Sequence, residues 1–178
     1  MVLEAALLSL RSETGGDPAH LGSKRPKRIY ILGLGAGVYV VQYYAKDAPH
    51  HWAIFVEKDT DKEEGAIFDI NGNTTNYVYR HKGKVSMKRS NTYEGRVAVG
   101  SMLGTDKRDG EVDKLLKNIP IQFHNDPNWN CQNWVVEALA KMEQKGYLEL
   151  DREPDHVPKY PTGAEIAAAL KKVERVDL

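Results

Sequence analysis

Cysteine is almost missing from this sequence: 178 residues hold a single one, Cys131. A lone cysteine cannot close an internal disulfide, so the fold draws nothing from an oxidising compartment, and a reducing, cytoplasmic setting is expected. The chain also lacks the Cys/His spacing of a structural zinc site, and no metal or other cofactor is expected. Excess charge of either sign is absent, with 25 basic residues against 25 acidic ones. The short basic run SKRPKR, from Ser23 to Arg28, reads as a solvated linker, so no nucleic-acid partner is expected. Long apolar runs are absent as well, none approaching the roughly 20 residues that cross a bilayer. The opening MVLEAALLSLRSETGG carries Glu4 where a secretory signal has positive charge, so no secretory signal is expected.

What is present has the size of one domain with a substantial core. Residues 1–27 combine a weak apolar stretch with Gly, Pro, Ser and charge, and read as a flexible leader ahead of a single domain over residues 28–178. From Arg28 onward come β-branched and aromatic runs: RIYIL, VYVVQYY, HWAIFVE, GAIFDI, NYVYR and RVAVGSM. Helical periodicity begins only with DGEVDKLLKNI. It continues in CQNWVVEALAKMEQKG, where Trp134, Val135, Ala138, Leu139 and Met142 share a face, and in the segment from Thr162 through AEIAAALKKVERV. Thr162 followed three residues later by Glu165 is a capping box. Strands first and helices mostly after them predict an α+β fold, with an antiparallel sheet packed against the helix that starts near Cys131.

The glycines of RIYILGLGAGVYVV invite a dinucleotide-binding reading through Gly33, Gly35 and Gly37, with Glu57 as a ribose-binding acid. The third glycine comes one residue early, however, and VYVVQYY is strand-like where the motif requires a helix. A bent strand or a turn accounts for these glycines more simply.

Cys131 falls where a helix begins. Unpaired backbone N–H groups and the positive end of the helix dipole there favour a thiolate, the nucleophilic form of the side chain. The alternative is that Cys131 is a small buried hydrophobe. In HWAIFVE, alternation puts His51, Ala53, Phe55 and Glu57 on one face and Trp52, Ile54 and Val56 on the other. A hairpin symmetric about Thr60 would set Glu57 opposite Glu63 and His51 opposite Asp69. The adjacent His50 points to the opposite face, while His20, His81 and His124 lie in polar, loop-like surroundings. The backbone N–H of Cys131 or Gln132 is placed to serve as an oxyanion donor, with the Gln132 side chain and neighbouring Asn130 nearby. Trp52, Trp129 and Trp134 are expected to wall the site and the core.

HHWAIFVEK and, much later, WNCQNWVVEAL make the chain resemble the circularly permuted papain-like (NlpC-type) proteins, the group that contains the lecithin retinol acyltransferase and phospholipid acyltransferase families. Fungal members with HWA and N-C-x-x-W-V-x-E-A-L segments look most similar. The resemblance covers roughly Val38 to Gly146, with only those two segments specific. It implies that His51 is the base and Cys131 the nucleophile. Where the acyltransferases have histidine as orienting residue, GAIFD offers Asp69, and their N-C-E-H-F is here NCQNW. The chain closes with LKKVERVDL, not with the membrane anchor that often ends those acyltransferases. The resemblance implies cysteine-dependent acyl transfer on a peptide, amide or acyl substrate, with amide hydrolysis as the first expectation. A catalytically silent binding module on the same fold and a nucleotide-binding protein are the alternatives.

Overall fold

The computed structural model describes residues 35–46, 49–73, 75–104, 109–122, 126, 128–155 and 157–173. The expected leader, the run Arg28–Leu32, Gly33, His20 and His124 lie outside the described residues. Within them the architecture is α+β, with six antiparallel strands and three helices. The strands are β1 (Gly37–Tyr43), β2 (His51–Asp59), β3 (Glu64–Asn71), β4 (Val78–Ser86), β5 (Tyr93–Met102) and β6 (Leu148–Leu150). The helices are α1 (Asp109–Lys117), α2 (Cys131–Gln144) and α3 (Gly163–Leu170). The sheet runs β4-β3-β2-β1-β5-β6. Five strands match expected runs, while the sixth is a three-residue strand after α2 that pairs with β5. Periodicity over three residues is too short to announce itself.

Alternation along the strands divides the apolar side chains between the two faces of the sheet. Val38, Val40, Trp52, Ile54, Val56, Phe68 and Ile70 join Trp134, Val135, Ala138 and Met142 of α2 in the main core. Val41, Ala53, Phe55 and Ile67 form a smaller cluster on the other face, closed by Met87 from a 3-10 turn, Met87–Arg89. Helix α3 starts at Thr162 with its capping box in place and ends at Leu170, short of the expected Val176.

The β2–β3 hairpin corrects the expected register. Glu57 pairs with Gly65 instead of Glu63, and Ile54 with Phe68. An irregularity between Glu57 and Asp59 and a positive φ at Glu63 displace the turn from the assumed symmetry about Thr60. Continuing the observed register sets Asp69 level with Ala53, one same-face position along from His51. Because the slip is an even number of residues, both side chains keep the face that alternation assigned them.

The glycine segment has a packing explanation. The stretch after Gly37 is strand β1, not a phosphate-capping helix. A Cβ on Gly35 would stand 1.9 Å from the carbonyl oxygen of Met102, whose N–H donates to Ala36 O at 2.8 Å. Gly35→Ala should therefore lower stability by about 1–3 kcal/mol in urea unfolding, the usual range for overpacking. A dinucleotide that raises the melting temperature of the wild-type protein would reinstate the nucleotide reading.

Candidate functional site

Asn130 caps α2. Its side-chain oxygen accepts the Gln132 backbone N–H at 2.8 Å, and Asn133 Oδ1 accepts the Asn130 N–H at 3.0 Å, closing a capping box. This corrects the expected oxyanion donors. The Gln132 N–H is spent on the cap, which leaves the Cys131 N–H as the donor of the first turn that no cap uses among the described residues. The Gln132 side chain is also committed, its Nε2 donating to the carbonyl of His50 at 3.0 Å. That bond joins the first turn of α2 to the residue just before β2, across 82 positions of sequence.

The tether brings the start of α2 to the end of the sheet where β2 begins. His51, the first residue of β2, reaches round that end. Its Nε2 lies 2.8 Å from Asp69 Oδ2, and Cys131 lies close enough to the ring to favour its charged form. Burial opposes charge on the ring, but the hydrogen bond to Asp69 and the nearness of Cys131 outweigh it and push the His51 pKa up to about 9. Asp69 is fully buried. Burial alone would raise its pKa, yet the hydrogen bonds from His51 and Arg80 hold the carboxyl below the usual carboxylate range.

Arg80 is the residue the sequence reading missed. It stands directly opposite Asp69 in the β3–β4 ladder. Its Nε donates to Asp69 Oδ1 at 2.9 Å, and its Nη2 donates to Asp69 Oδ2. A buried carboxylate is costly unless paired and fully hydrogen-bonded, and this guanidinium fork meets both demands. Tyr43 closes the same side, its ring centroid 6.1 Å from that of His51. Burial and the Asp69 charge push its phenol up, so it stays neutral.

Cys131 belongs to the main core, with 6% of the residue exposed, and the His51 side chain is 23% exposed. Trp129 is buried and donates to Glu137 Oε1 at 2.8 Å. Trp52 is buried too, donating to Gln42 Oε1 at 3.2 Å, and with Gln132 it lines a cavity between α2 and α3. Trp134 is wholly buried in the core, so it is packing and not a cleft wall. His50 holds its Nδ1 2.6 Å from Glu94 Oε2, at ion-pair distance but without hydrogen-bond geometry. His81 stacks on Phe68 with its Nδ1 3.1 Å from Asp113 Oδ1. Among the described residues no three of His, Cys, Asp and Glu gather as a metal cluster, and no helix is long and apolar enough to cross a membrane.

The arrangement is that of an α+β domain with a cysteine at a helix start, a histidine on the sheet and a buried carboxylate behind it. Residues 38–149 match the family described as Family of unknown function (DUF6540), and the chain belongs to that family. The matched span takes in Cys131, His51, Asp69 and Arg80, and stops before α3. No curated protein and no solved structure matches the chain.

Proposed function

We propose that this protein is a cysteine-dependent acyl-transfer enzyme on a permuted papain-like fold, and that its reaction is hydrolysis of an amide in the manner of a peptidase. The observation that carries this reading is His51 held by the buried Asp69 at 2.8 Å, with Cys131 at the start of α2 close enough to act on the same ring. The element order supports it, since the strands bearing His51 and Asp69 precede the helix that opens on Cys131.

In this mechanism the Cys131 Sγ attacks the substrate carbonyl as the thiolate, and its proton resides on His51. The developing oxyanion takes the Cys131 N–H at the start of α2. As the C–N bond breaks, the imidazolium gives its proton to the leaving amine, and a thioester remains on the enzyme. His51 then takes a proton from water, whose oxygen attacks the thioester, and the thiol is regenerated as the acid departs. Asp69 fixes the ring tautomer and offsets the imidazolium charge. Arg80 keeps Asp69 ionised and oriented.

A second reading, a binding module without catalysis, is favoured by one observation: Cys131 belongs to the main core cluster. Acylation separates the two. Wild-type protein treated with p-nitrophenyl acetate should release p-nitrophenolate in a burst and carry an acetyl group on Cys131, detected by peptide mass mapping. Cys131→Ala should show neither. Equal release from the folded alanine variant, or a folded wild type that takes up no acetyl group, would remove the enzyme reading and leave the binding module.

A further inference from the structure

His51 and Arg80 also border a groove on the sheet face away from the main core, and the reaction above uses no other part of it. The groove encloses about 450 Å3, room for a small ligand or a substrate side chain. No acidic side chain lines it, whereas Lys82 from β4 and Arg89 from the 3-10 turn do. Both are exposed, and neither has an acidic partner among the described residues. Their neighbours differ. Lys84 pairs with Glu64 at 3.2 Å, and Lys88 donates to the Asp61 carbonyl at 2.9 Å. Asp69, which bonds the lining residues His51 and Arg80, is itself fully buried. Ser86, Ser90 and Thr92 add hydroxyls to the lining. In a chain with balanced charge, this is a local concentration of unneutralised cations beside His51.

We propose that the groove receives an anionic group of the substrate, so that the acyl compound consumed at Cys131 carries a carboxylate or a phosphate close to the bond that breaks. This inference rests on the reading of Cys131 and His51 as the reacting pair. Lys82 and Arg89 act on the approach and orientation of that group. They do not touch the sulfur.

The test compares two alkylating agents of similar size that differ in charge. Each forms a C–S bond at Cys131 and expels iodide, so the rate of neutral iodoacetamide reports the cysteine and the ratio of iodoacetate to iodoacetamide reports the groove. In the folded Lys82→Ser/Arg89→Ser variant the ratio should fall about fivefold or more at low salt, as expected when a steering field is removed. In wild-type protein, 0.5 M NaCl should drive the ratio toward that of the variant, because exposed charges are screened. Succinate and inorganic phosphate, tested as protectants, separate the two chemistries. The one that slows alkylation of the wild type but not of the variant names the group. A ratio unchanged in the variant overturns the anion groove and leaves the reading of Cys131 standing. Failure of both reagents to label folded wild-type protein removes the reacting cysteine, and the groove proposal falls with it.

Discussion

Replacing His51 by alanine should slow alkylation of Cys131 by iodoacetamide roughly a hundredfold at neutral pH, the lower end of what a positioned base contributes. Asp69→Asn should slow it less, because the carboxylate acts on the sulfur only through the ring. The same alanine variant should change how stability depends on pH. The folded His51 value of about 9 lies above the unfolded value near 6.5, so the charged ring stabilises the fold fully below pH 6.5. That stabilisation shrinks as pH rises and is gone above about pH 9. A shift of this size corresponds to about 3 kcal/mol. In urea unfolding from pH 6 to pH 10, the gap between wild type and His51→Ala should close by about that amount. A gap that stays constant across the range would mean that His51 does not gain its charge from these partners. Equal alkylation rates in two folded proteins would leave a reactive cysteine without its proposed base.

Arg96→Ala should cost the fold about 3–5 kcal/mol, the range found when one member of a buried ion pair is deleted. Glu57 is only 3% exposed, and Arg96 Nη1 donates to its Oε1 at 2.8 Å. Tyr39 OH donates to Oε2 at 3.1 Å, and the Arg96 guanidinium lies 4.4 Å above the Tyr39 ring. Without the arginine, a carboxylate remains in the sheet with a phenol and the Thr60 hydroxyl as its neighbours. The double change Arg96→Met/Glu57→Leu should recover much of the loss, because no charge is then stranded. A loss below about 1 kcal/mol for the single variant would show that water reaches Glu57 when its partner leaves. This pairing also takes Glu57 out of the ribose-binding role that the nucleotide reading needed.

Alternation made the faces of β2 legible in the sequence. Spacing alone places His51 and Asp69 on the same side, and the Thr162/Glu165 capping box is legible as well. The register was not, because it depends on the backbone around Glu57 to Glu63, where a bulge and a left-handed residue leave no mark in the hydrophobic pattern. Arg80 was hidden for a related reason. Its position opposite Asp69 follows from the β3–β4 connection, and polar residues at the end of NYVYR look like ordinary strand-end solvation. The side chain of Gln132 looked like an oxyanion donor because sequence shows what a group can donate but not what has already accepted it. Trp134 reads the same from sequence whether it lines a cleft or fills a core. Its helical face, shared with Val135 and Ala138, decides for the core.

The element order also governs what a half-made chain can do. As synthesis proceeds, His51, Asp69 and Arg80 emerge together on one meander of neighbouring strands, and the sulfur follows only with α2. A nascent chain holding just the meander has His51, Asp69 and Arg80 but not Cys131. Its Trp52, Ile54, Val56 and Phe68 lack the α2 side chains that cover them in the finished core. Such a bare apolar sheet face is what chaperones bind and what aggregates form from. Arrival of the helix covers that face and brings Cys131 to His51 in one event, so on the proposed reading the reacting pair is assembled only as the core closes.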